Sequence, residues 1–491
     1  MRASGILMHI SSLPSPYGIG TFGKEAYAFA DFLAAAGQKY WQILPLGPTG
    51  YGDSPYQTVS AFAGNPYFID LDLLVADGLL EKEEILACDW GTDPEHADYG
   101  ALYAHRGALL KKAFERGRER DRKAVDDFRR ENAGWLESYA LFTALKTRFG
   151  LKPWSEWEDE AARLRSDPKI LERYSEELRE EIDCCVYIQY LFYRQWDELR
   201  AYIHKKGIRI IGDVPIYVPL DSADVWSDRS MFQLDGEGRP TEVAGVPPDY
   251  FSEDGQLWGN PLYDWDRMAE DGYAWWIGRL HAAARLFDVV RIDHFRGLES
   301  YWAVPFGETT ARGGHWVPGP GKAFVTAIKS ALPDLDIIAE DLGVMTDAVI
   351  ELRDFSGFPG MKILQFAFDP DNVYLPHNQP KNCVCYIGTH DNDTLAEWLE
   401  NTSSENLDFA REYLGLNRRE GYANGILRGG MSAPADLFVA QMQDWLGIGA
   451  AGHMNNPGLL GGGNWCWRMK KGAVTPALTK KILRMTKVYG R

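Results

Sequence analysis

An arginine and an aspartate that lie two residues apart close a short apolar segment, and side chains of these two types can form a nucleophilic site. The segment is FDVVRIDHFRG at 287–297, where Arg291 and Asp293 follow a pair of valines. In a β-strand this spacing places both side chains on one face. A neighbouring guanidinium favours the ionised carboxylate, so we expect the pKa of Asp293 to be lowered, as a carboxylate nucleophile requires. The alternative interpretation is a structural ion pair at the end of a strand.

Three further apolar segments end in an acidic residue and then break into glycine, proline, asparagine or threonine. They are IRIIGD at 208–213, DIIAED at 336–341 and VCYIGTHD at 384–391. In a parallel α/β barrel the carboxyl ends of the strands form one rim, where catalytic groups collect. We therefore expect Asp293, Glu340 and Asp391 to lie on a shared rim.

Three carboxylates on one rim suit the chemistry of glycosidic bonds. Cleavage with retention requires an ionised carboxylate as nucleophile and, about 5–5.5 Å away, a carboxylic acid that protonates the leaving oxygen. The sequence predicts Asp293 as the nucleophile and Glu340, with a raised pKa, as the acid and then the base. Asp391 would hold sugar hydroxyls while positive charge develops on the ring. His294 and His390 would donate hydrogen bonds to an oxygen-rich substrate.

Two other classes of protein would use similar residues. A metal-dependent hydrolase also places histidine and aspartate on a barrel rim, but His9 has no second histidine nearby and the HEXXH pattern is absent from the sequence. A non-catalytic sugar-binding protein would keep the aromatic residues, which form 13% of the chain, but has no need of three acids at separate strand ends. We therefore predict an enzyme without cofactor or metal.

Composition restricts the partners and the compartment. The net charge of −18 argues against nucleic acid as a partner. No apolar run approaches the roughly 18 residues of a membrane span, and the N-terminus lacks a signal-peptide pattern. The six cysteines have no zinc-type spacing, which is typical of reduced thiols. We predict a cytoplasmic protein that binds a neutral or cationic ligand.

Strand-like and helical patterns alternate along the chain. Predicted strands at 5–10 and 41–46 flank a helix that begins near Lys24, which is the spacing of a parallel βαβ unit. Further strands follow at the acidic segments and near Met361, and a helix is predicted over 433–446. This alternation favours an α/β fold with a parallel sheet.

Two long segments interrupt the alternation. The first, at about 47–203, begins as a loop rich in glycine, proline and tyrosine and continues as charged helical sequence that keeps an apolar side. The second, at about 219–280, has the prolines, glycines and aromatic residues of an ordered loop region that covers a site. We predict one catalytic barrel over 1–491 with these two insertions.

At these motifs the sequence resembles the 4-α-glucanotransferases (amylomaltases, or disproportionating enzymes), glycoside hydrolase family 77 of the α-amylase clan. The shared motifs, in order, are HISSLPSPYGIG, GDSPYQTVSAFAGNP, IGDVPIYV, AGVPPDYFSEDGQLWGNPLY, VVRIDHFRG, AEDLG and GTHDNDT. The resemblance implies an α/β fold, a (β/α)8 TIM barrel with inserted, largely helical subdomains and no separate C-terminal β-domain. It also implies retaining transfer of an α-1,4-glucan segment to the 4-hydroxyl of an acceptor glucan or glucose.

The resemblance further implies the site. The family's nucleophile, acid/base and transition-state stabiliser match Asp293, Glu340 and Asp391. The loop at 250–251 resembles the family's flap over the acceptor side. The implied partners are malto-oligosaccharides and longer α-1,4-glucans, bound by a monomer or a homodimer. The family's glucose-contacting positions match Ser54, Tyr56, Asp213, Asp249, Gln256, Trp258, Arg291, His294, His390 and Asn464.

One motif near the C-terminus departs from the family pattern R-M-N-x-P-G-T followed by N-W-R-W-R. This chain reads HMNNPGLLGGGNWCWRM, so that His453, Leu459 and Cys466 replace arginine, threonine and arginine. We expect catalysis to be retained, whereas donor-side binding strength and chain-length preference do not follow from the family pattern. Hydrolysis as the main activity is the alternative function, because transfer requires an acceptor sugar to outcompete water at the covalent intermediate.

Overall fold

The strands of the protein form a barrel sheet and a smaller second sheet. A computed structural model describes residues 2–248, 252–459 and 461–491. Numbered along the chain, the strands are β1 (Ala3–Leu7), β2 (Tyr40–Gln42), β3 (Arg209–Val214), β4 (Glu242–Val246), β5 (Gln256–Pro261), β6 (Val289–Ile292), β7 (Ser300–Pro305), β8 (His315–Pro318), β9 (Asp336–Ala339), β10 (Gly360–Ile363), β11 (Cys383–Tyr386) and β12 (Leu437–Gln441).

Within the described residues, eight strands pair in parallel in the order β10-β11-β12-β1-β2-β3-β6-β9. The first and last of them along the chain, β1 and β12, are neighbours with Ala3 opposite Leu437. The two edge strands meet where Ala339 N donates to Pro359 O at 2.9 Å. This arrangement confirms the predicted (β/α)8 barrel.

The barrel strands are apolar on both faces because the barrel interior and the outer helices cover them. All four residues of β6 are buried, as expected for parallel strands between two covered faces. Gly212 in β3 permits the close approach of a neighbouring ring, since a Cβ at this position would lie 2.1 Å from the ring of Phe287. Short strands of this kind end at the polar residues that form the rim.

The helices surround the barrel and fill the first insertion. They are α1 (Lys24–Ala35), α2 (Leu71–Ala76), α3 (Lys82–Leu86), α4 (Tyr99–Gly117), α5 (Arg122–Glu131), α6 (Leu136–Arg148), α7 (Glu160–Arg163), α8 (Pro168–Glu177), α9 (Arg179–Lys205), α10 (Ala223–Ser227), α11 (Trp265–Glu270), α12 (Ala274–Leu286), α13 (Gly321–Ala331), α14 (Asp347–Ser356), α15 (Leu395–Asn401), α16 (Ser404–Leu414), α17 (Tyr422–Ser432), α18 (Met442–Leu446) and α19 (Pro476–Tyr489). In the described part of the chain, none of these helices combines the length and apolar character needed to cross a bilayer.

The helix predicted over 433–446 is wrong in its first half. Residues Leu437–Gln441 form β12, and only Met442–Leu446 are helical. A short apolar run cannot be assigned to strand or helix from its pattern alone. The strand forms because β1 and β11 offer unpaired edges on both of its sides.

Helix α9 holds the long loop between β2 and α2 against the barrel. The side-chain amide of Gln189 exchanges two hydrogen bonds with the backbone of Gly64, at 2.7 and 2.9 Å. Gln195 forms the same reciprocal pair with the backbone of Asp70, at 2.7 and 3.2 Å. Both glutamines are buried, so these bonds satisfy groups that would otherwise be costly to desolvate. The loop is therefore rigidly held on its way to the rim.

Part of the region predicted as a covering loop at 219–280 has regular structure. It contains α10, α11 and the strands β4 and β5. The two strands belong to an antiparallel sheet with the order β5-β4-β7-β8, in which Ala244 pairs with Ala303. Strands β4 and β5 were not predicted because their sheet is completed by β7 and β8, which follow β6 in the sequence.

Candidate active site

The three predicted catalytic carboxylates lie on one rim of the barrel. Asp293 directly follows β6, Glu340 directly follows β9, and Asp391 lies in the turn after β11. The backbone hydrogen bonds between neighbouring strands extend to Asp293 and Glu340. Asp293 N donates to Val214 O at 3.0 Å, and Glu340 N donates to Ile292 O at 3.0 Å. The backbone at these two carboxylates is therefore held by the sheet itself.

A cleft of about 370 Å³ opens at this rim. Asp293 and Asp391 both line it, and 28% and 41% of their respective side chains remain exposed. Glu340 lies beneath the surface and is buried. Of the predicted substrate-contacting residues, those that line the cleft are Ser54, Tyr56, Gln256, Trp258 and His390.

A buried guanidinium connects two of the strand ends. Arg291 Nη1 donates to Asp213 Oδ2 at 2.5 Å and to Asp293 Oδ1 at 2.9 Å. Arg291 and Asp213 are almost inaccessible to water, where an unpaired charge would be strongly destabilising. Because β3 and β6 pair with Asp213 opposite Arg291, the sheet register itself brings the ions together.

The pKa of Asp293 is raised, so the predicted direction is wrong. The largest cause is burial, which disfavours the charged carboxylate. Arg291 lowers the pKa, but Asp213, Glu340 and Asp391 add negative charge and raise it. The spacing in the sequence predicted the contact between Arg291 and Asp293, but it could not show that Arg291 also pairs with Asp213.

The pKa of Glu340 is raised, in the predicted direction, mainly by burial. Arg291 opposes this shift, as do two backbone amides: Leu342 N donates to Oε1 at 2.9 Å and His294 N donates to Oε2 at 2.7 Å. The amide of His294 has this orientation in a left-handed backbone conformation, with φ of 53°, which is uncommon for residues other than glycine. Two neighbouring carboxyl groups with raised pKa values favour a state in which the pair retains one proton.

Asp391 has the opposite electrostatic character. Its Oδ2 lies 3.2 Å from His390 Nε2, and its Oδ1 accepts a hydrogen bond from Asn455 Nδ2 at 2.6 Å. Burial raises the pKa of Asp391, but the charge and hydrogen bond of His390 and the bond from Asn455 outweigh it, so the pKa is lowered. Asp391 also raises the pKa of His390 against the effect of burial. The surroundings of Asp391 therefore favour its ionised form, in contrast to those of Asp293 and Glu340.

Asn455 is a site residue that the sequence analysis missed. It lies 64 residues beyond Asp391, in the C-terminal motif from which only Asn464 was predicted as a substrate contact. Asn455 could have been found from the sequence, because it matches the asparagine of the family pattern R-M-N-x-P-G-T.

Replacement of Asn455 by alanine should lower kcat/KM by about 10- to 100-fold, which is the usual value of one hydrogen bond to a charged group. Asn456→Ala is the matched control, because Asn456 acts through its backbone amide and carbonyl. Both variants should be compared for transfer activity and thermal stability. Equal activity of Asn455→Ala and the unaltered chain would contradict a role for this amide.

Aromatic rings form one wall of the cleft. Tyr56 OH donates to Asp213 Oδ2 at 2.6 Å, and its ring stacks on His390 with centroids 4.9 Å apart and an interplanar angle of 15°. The ring centroid of Trp465 lies 5.7 Å from the centroids of both Tyr56 and His390. The hydroxyl bond orients Tyr56, so this ring is positioned by the buried ion pair rather than only packed.

A second aromatic side chain of the cleft, Trp258, belongs to strand β5 of the smaller sheet. Trp258 contacts the ring of His294 edge-on at 4.8 Å, and its Nε1 donates to Gln256 Oε1 at 3.1 Å. The imidazole of His294 is held neutral, since burial lowers its pKa to about 3. Trp258 and Tyr56 thus face the cleft from different elements.

Asn464 does not line the cleft. Its side chain accepts from Asn456 N at 2.9 Å and donates to Asn456 O at 3.2 Å and Leu459 O at 3.0 Å. These bonds close the loop that follows Asn455 and make Asn464 a residue of loop structure. Asp249, predicted as a substrate contact, lies outside the described residues, as do Tyr250 and Phe251 of the predicted flap.

Comparison with known proteins gives relatives along the full chain. The family described as 4-alpha-glucanotransferase, glycoside hydrolase family 77, matches residues 8–475. A 4-alpha-glucanotransferase of Clostridium butyricum is 48% identical over 488 residues, covering 99% of this chain and 100% of the relative. One from Streptococcus pneumoniae is 50% identical over 497 residues, covering 100% of this chain and 97% of the relative.

Solved structures agree with this assignment. The amylomaltase from Streptococcus agalactiae in complex with acarbose superimposes with a TM-score of 0.97 at 43% identity, over 100% of both chains. The amylomaltase from Corynebacterium glutamicum shares the fold with a TM-score of 0.79 at 21% identity, over 99% of this chain and 75% of the other. With its carboxylates on the rim of a (β/α)8 barrel, the chain belongs to the 4-α-glucanotransferases of glycoside hydrolase family 77.

Proposed function

We propose that Asp293, Glu340 and Asp391 are the nucleophile, the acid/base and the transition-state stabiliser of the 4-α-glucanotransferase reaction. The observation that carries the proposal is the division of charge on the rim. Burial raises the pKa values of Asp293 and Glu340, whereas His390 and Asn455 lower that of Asp391. Retaining cleavage needs one ionised and one protonated carboxyl group, which one proton shared between Asp293 and Glu340 would provide.

In the first step, a carboxylate oxygen of Asp293 forms a bond to the anomeric carbon of the donor glucan. The bond from that carbon to the glycosidic oxygen breaks, and Glu340 transfers its proton to the leaving oxygen. In the second step, Glu340 removes the proton from the 4-hydroxyl of an acceptor sugar, whose oxygen displaces Asp293 from the anomeric carbon. Two inversions restore the α configuration.

Asp391 acts through its charge and not through a proton. A carboxylate that stays ionised on the open side of the cleft can accept hydrogen bonds from sugar hydroxyls while positive charge develops on the ring. His390 and Asn455 each hold one of its two oxygens, which limits rotation of the carboxylate and keeps it oriented.

The substrates we propose are malto-oligosaccharides and longer α-1,4-glucans. The similar amylomaltase from Streptococcus agalactiae was solved with acarbose. Tyr56 and Trp258 offer ring faces of the kind that pack on the apolar faces of sugars, and Ser54 and Gln256 offer hydrogen-bonding groups in the same cleft. The cleft-lining segments at 51–57 and 256–260 would exclude water from the bound sugar and so favour an acceptor sugar.

We also propose that residues 1–491 form a single catalytic unit with insertions at about 47–203 and 219–280. The bonds of Gln189 and Gln195 to the loop before α2 support the first assignment, because they make the helical insertion a support for the cleft. The six cysteines are free thiols in the structure, which supports a reducing, cytoplasmic location.

Incubation of the purified protein with maltotriose, followed by separation of products by chain length, tests the function. We expect glucose together with a ladder of maltodextrins longer than the substrate, because only transfer extends a chain. Glucose and maltose without longer products would identify a hydrolase, and an unchanged substrate would indicate a glucan-binding protein. Asp293→Asn protein, prepared in the same way, is the control for contaminating activity.

A further inference from the structure

Three side chains from two segments of the chain converge next to the turn that carries Asp391. Asp393 belongs to that turn, Glu397 lies in the first turn of α15, and His453 precedes Asn455 by two residues. The ligand-type atoms of the three lie within 4.8 Å of one another. His453 Nδ1 is 3.1 Å from Glu397 Oε2 and 3.9 Å from Asp393 Oδ1.

These separations suit a small divalent ion. Zinc binds imidazole nitrogen and carboxylate oxygen at about 2.0–2.2 Å, which places neighbouring ligand atoms roughly 3–4 Å apart. The two separations from His453 Nδ1, 3.1 and 3.9 Å, fall in that interval. One imidazole and two carboxylates are also a donor set that first-row transition metals accept.

The imidazole of His453 is built into this position. Its side chain is only 10% exposed, and Nδ1 is the atom directed at the two carboxylates. Its other ring nitrogen, Nε2, is buried without a hydrogen-bond partner among the described residues. A buried histidine normally pairs both nitrogens, so here, in the part of the chain that the structure describes, the two carboxylates alone orient the imidazole through Nδ1.

The two acids have a histidine as their ion-pair partner. Among the described residues, neither Asp393 nor Glu397 has a lysine or arginine within ion-pair distance, and His453 is their partner. Each carboxylate also accepts a hydrogen bond, Asp393 Oδ2 from Asn401 Nδ2 and Glu397 Oε2 from Thr394 N. An arginine at 453 would keep a positive charge between them, whereas a neutral imidazole is a metal ligand.

We propose that Asp393, Glu397 and His453 bind a divalent transition-metal ion, with zinc as the reference ion. The ion would join the turn that carries Asp391 to the segment that carries Asn455, the two residues linked by a hydrogen bond in the cleft. The site is therefore a support for the ionised carboxylate. No metal was expected because His9 has no second histidine nearby and the HEXXH pattern is absent; His453 lies far along the chain from Asp393 and Glu397.

The test is a titration of the full-length protein, freed of metal by chelator and dialysis, with zinc chloride in a calorimeter. We expect one ion per chain and a higher Tm with zinc, because a ligand of the folded state stabilises it. In His453→Arg the arginine replaces the ion, so zinc affinity should fall at least ~10-fold and zinc should no longer raise Tm. His281→Arg, at an exposed position of α12, is the matched control.

Cobalt(II) as the probe separates this site from the cysteines. Binding through nitrogen and oxygen should give weak visible bands without a thiolate charge-transfer band. A thiolate band, unchanged affinity in His453→Arg, or no zinc binding at millimolar concentration would each overturn the proposal. Asp393→Asn, which keeps the size of the side chain, is the second variant and should also weaken zinc binding if the proposal holds.

Discussion

Asp293→Asn is expected to lower kcat/KM for transfer from maltotriose by about 10⁴-fold or more, since the amide cannot form the covalent bond to the anomeric carbon. The overall shape of the side chain is kept, and so is one oxygen for Arg291. The loss should appear equally with a donor whose leaving group is fluoride, because departure of fluoride needs no protonation but still needs a nucleophile. Product ladders from maltotriose and fluoride release from a maltosyl fluoride are the two measurements.

The same substitution should not destabilise the fold. An aspartate whose pKa is raised on folding binds more protons in the folded state, so ionised Asp293 reduces stability progressively as pH rises from its ordinary pKa to the raised one. Removal of that charge at neutral pH should leave Tm unchanged or higher. Asp334→Asn, at an exposed position, is the control. Near-normal transfer by Asp293→Asn would disprove its assignment as nucleophile.

Glu340→Gln is expected to reduce transfer from maltotriose by about 10²- to 10⁴-fold, the usual contribution of a positioned general acid. Unlike Asp293→Asn, it should retain formation of the glycosyl intermediate from a maltosyl fluoride, because that leaving group does not require a proton. A burst of fluoride followed by slow turnover would show that the second step still lacks its base. Glu412→Gln, on the exposed side of α16, is the control.

Stability should distinguish the two variants. Both oxygens of Glu340 accept backbone N–H groups, from Leu342 and His294. An amide can present only one oxygen, so its NH₂ group must face one of these donors, which costs about 1–3 kcal/mol. We therefore expect a lower Tm for Glu340→Gln than for Asp293→Asn. An unchanged Tm together with unchanged turnover would contradict both the contacts and the role.

The pH dependence of the unaltered enzyme follows from the shared proton. Activity should fall at high pH when Glu340 loses its proton and at low pH when Asp293 gains one. In Glu340→Gln with a maltosyl fluoride, the fall at high pH should disappear while the fall at low pH remains. Persistence of both would mean that another group supplies the proton.

Local patterns in the sequence determined the barrel and the acids on its rim. Apolar β-branched runs such as the one before Asp293 are buried on both faces, and they end where polar residues meet water. Because the strands are parallel, all such ends fall on one side of the sheet. The placement of Asp293, Glu340 and Asp391 on the rim could therefore be predicted before any tertiary contact was known.

Tertiary structure decided which charges meet and what they do to one another. The register of β3 against β6 makes Arg291 shared with Asp213, and burial then reverses the predicted pKa shift of Asp293. The hydrogen bond from Asn455 to Asp391 and the contact of His453 with Glu397 join segments more than fifty residues apart. The segment Leu437–Gln441 is a strand because it forms backbone hydrogen bonds with β1 on one side and β11 on the other.

Features that can be predicted from the sequence depend on residues close together along the chain, whereas the others depend on contacts between distant residues. Hydrophobic periodicity and turn residues act over a few positions and are written in consecutive residues. Burial, ion-pair sharing and the approach of His453 to Asp393 depend on closure of the whole barrel. Consecutive residues thus predict which side chains lie on the rim, whereas closure of the barrel sets the protonation, the partners and the supports of those side chains.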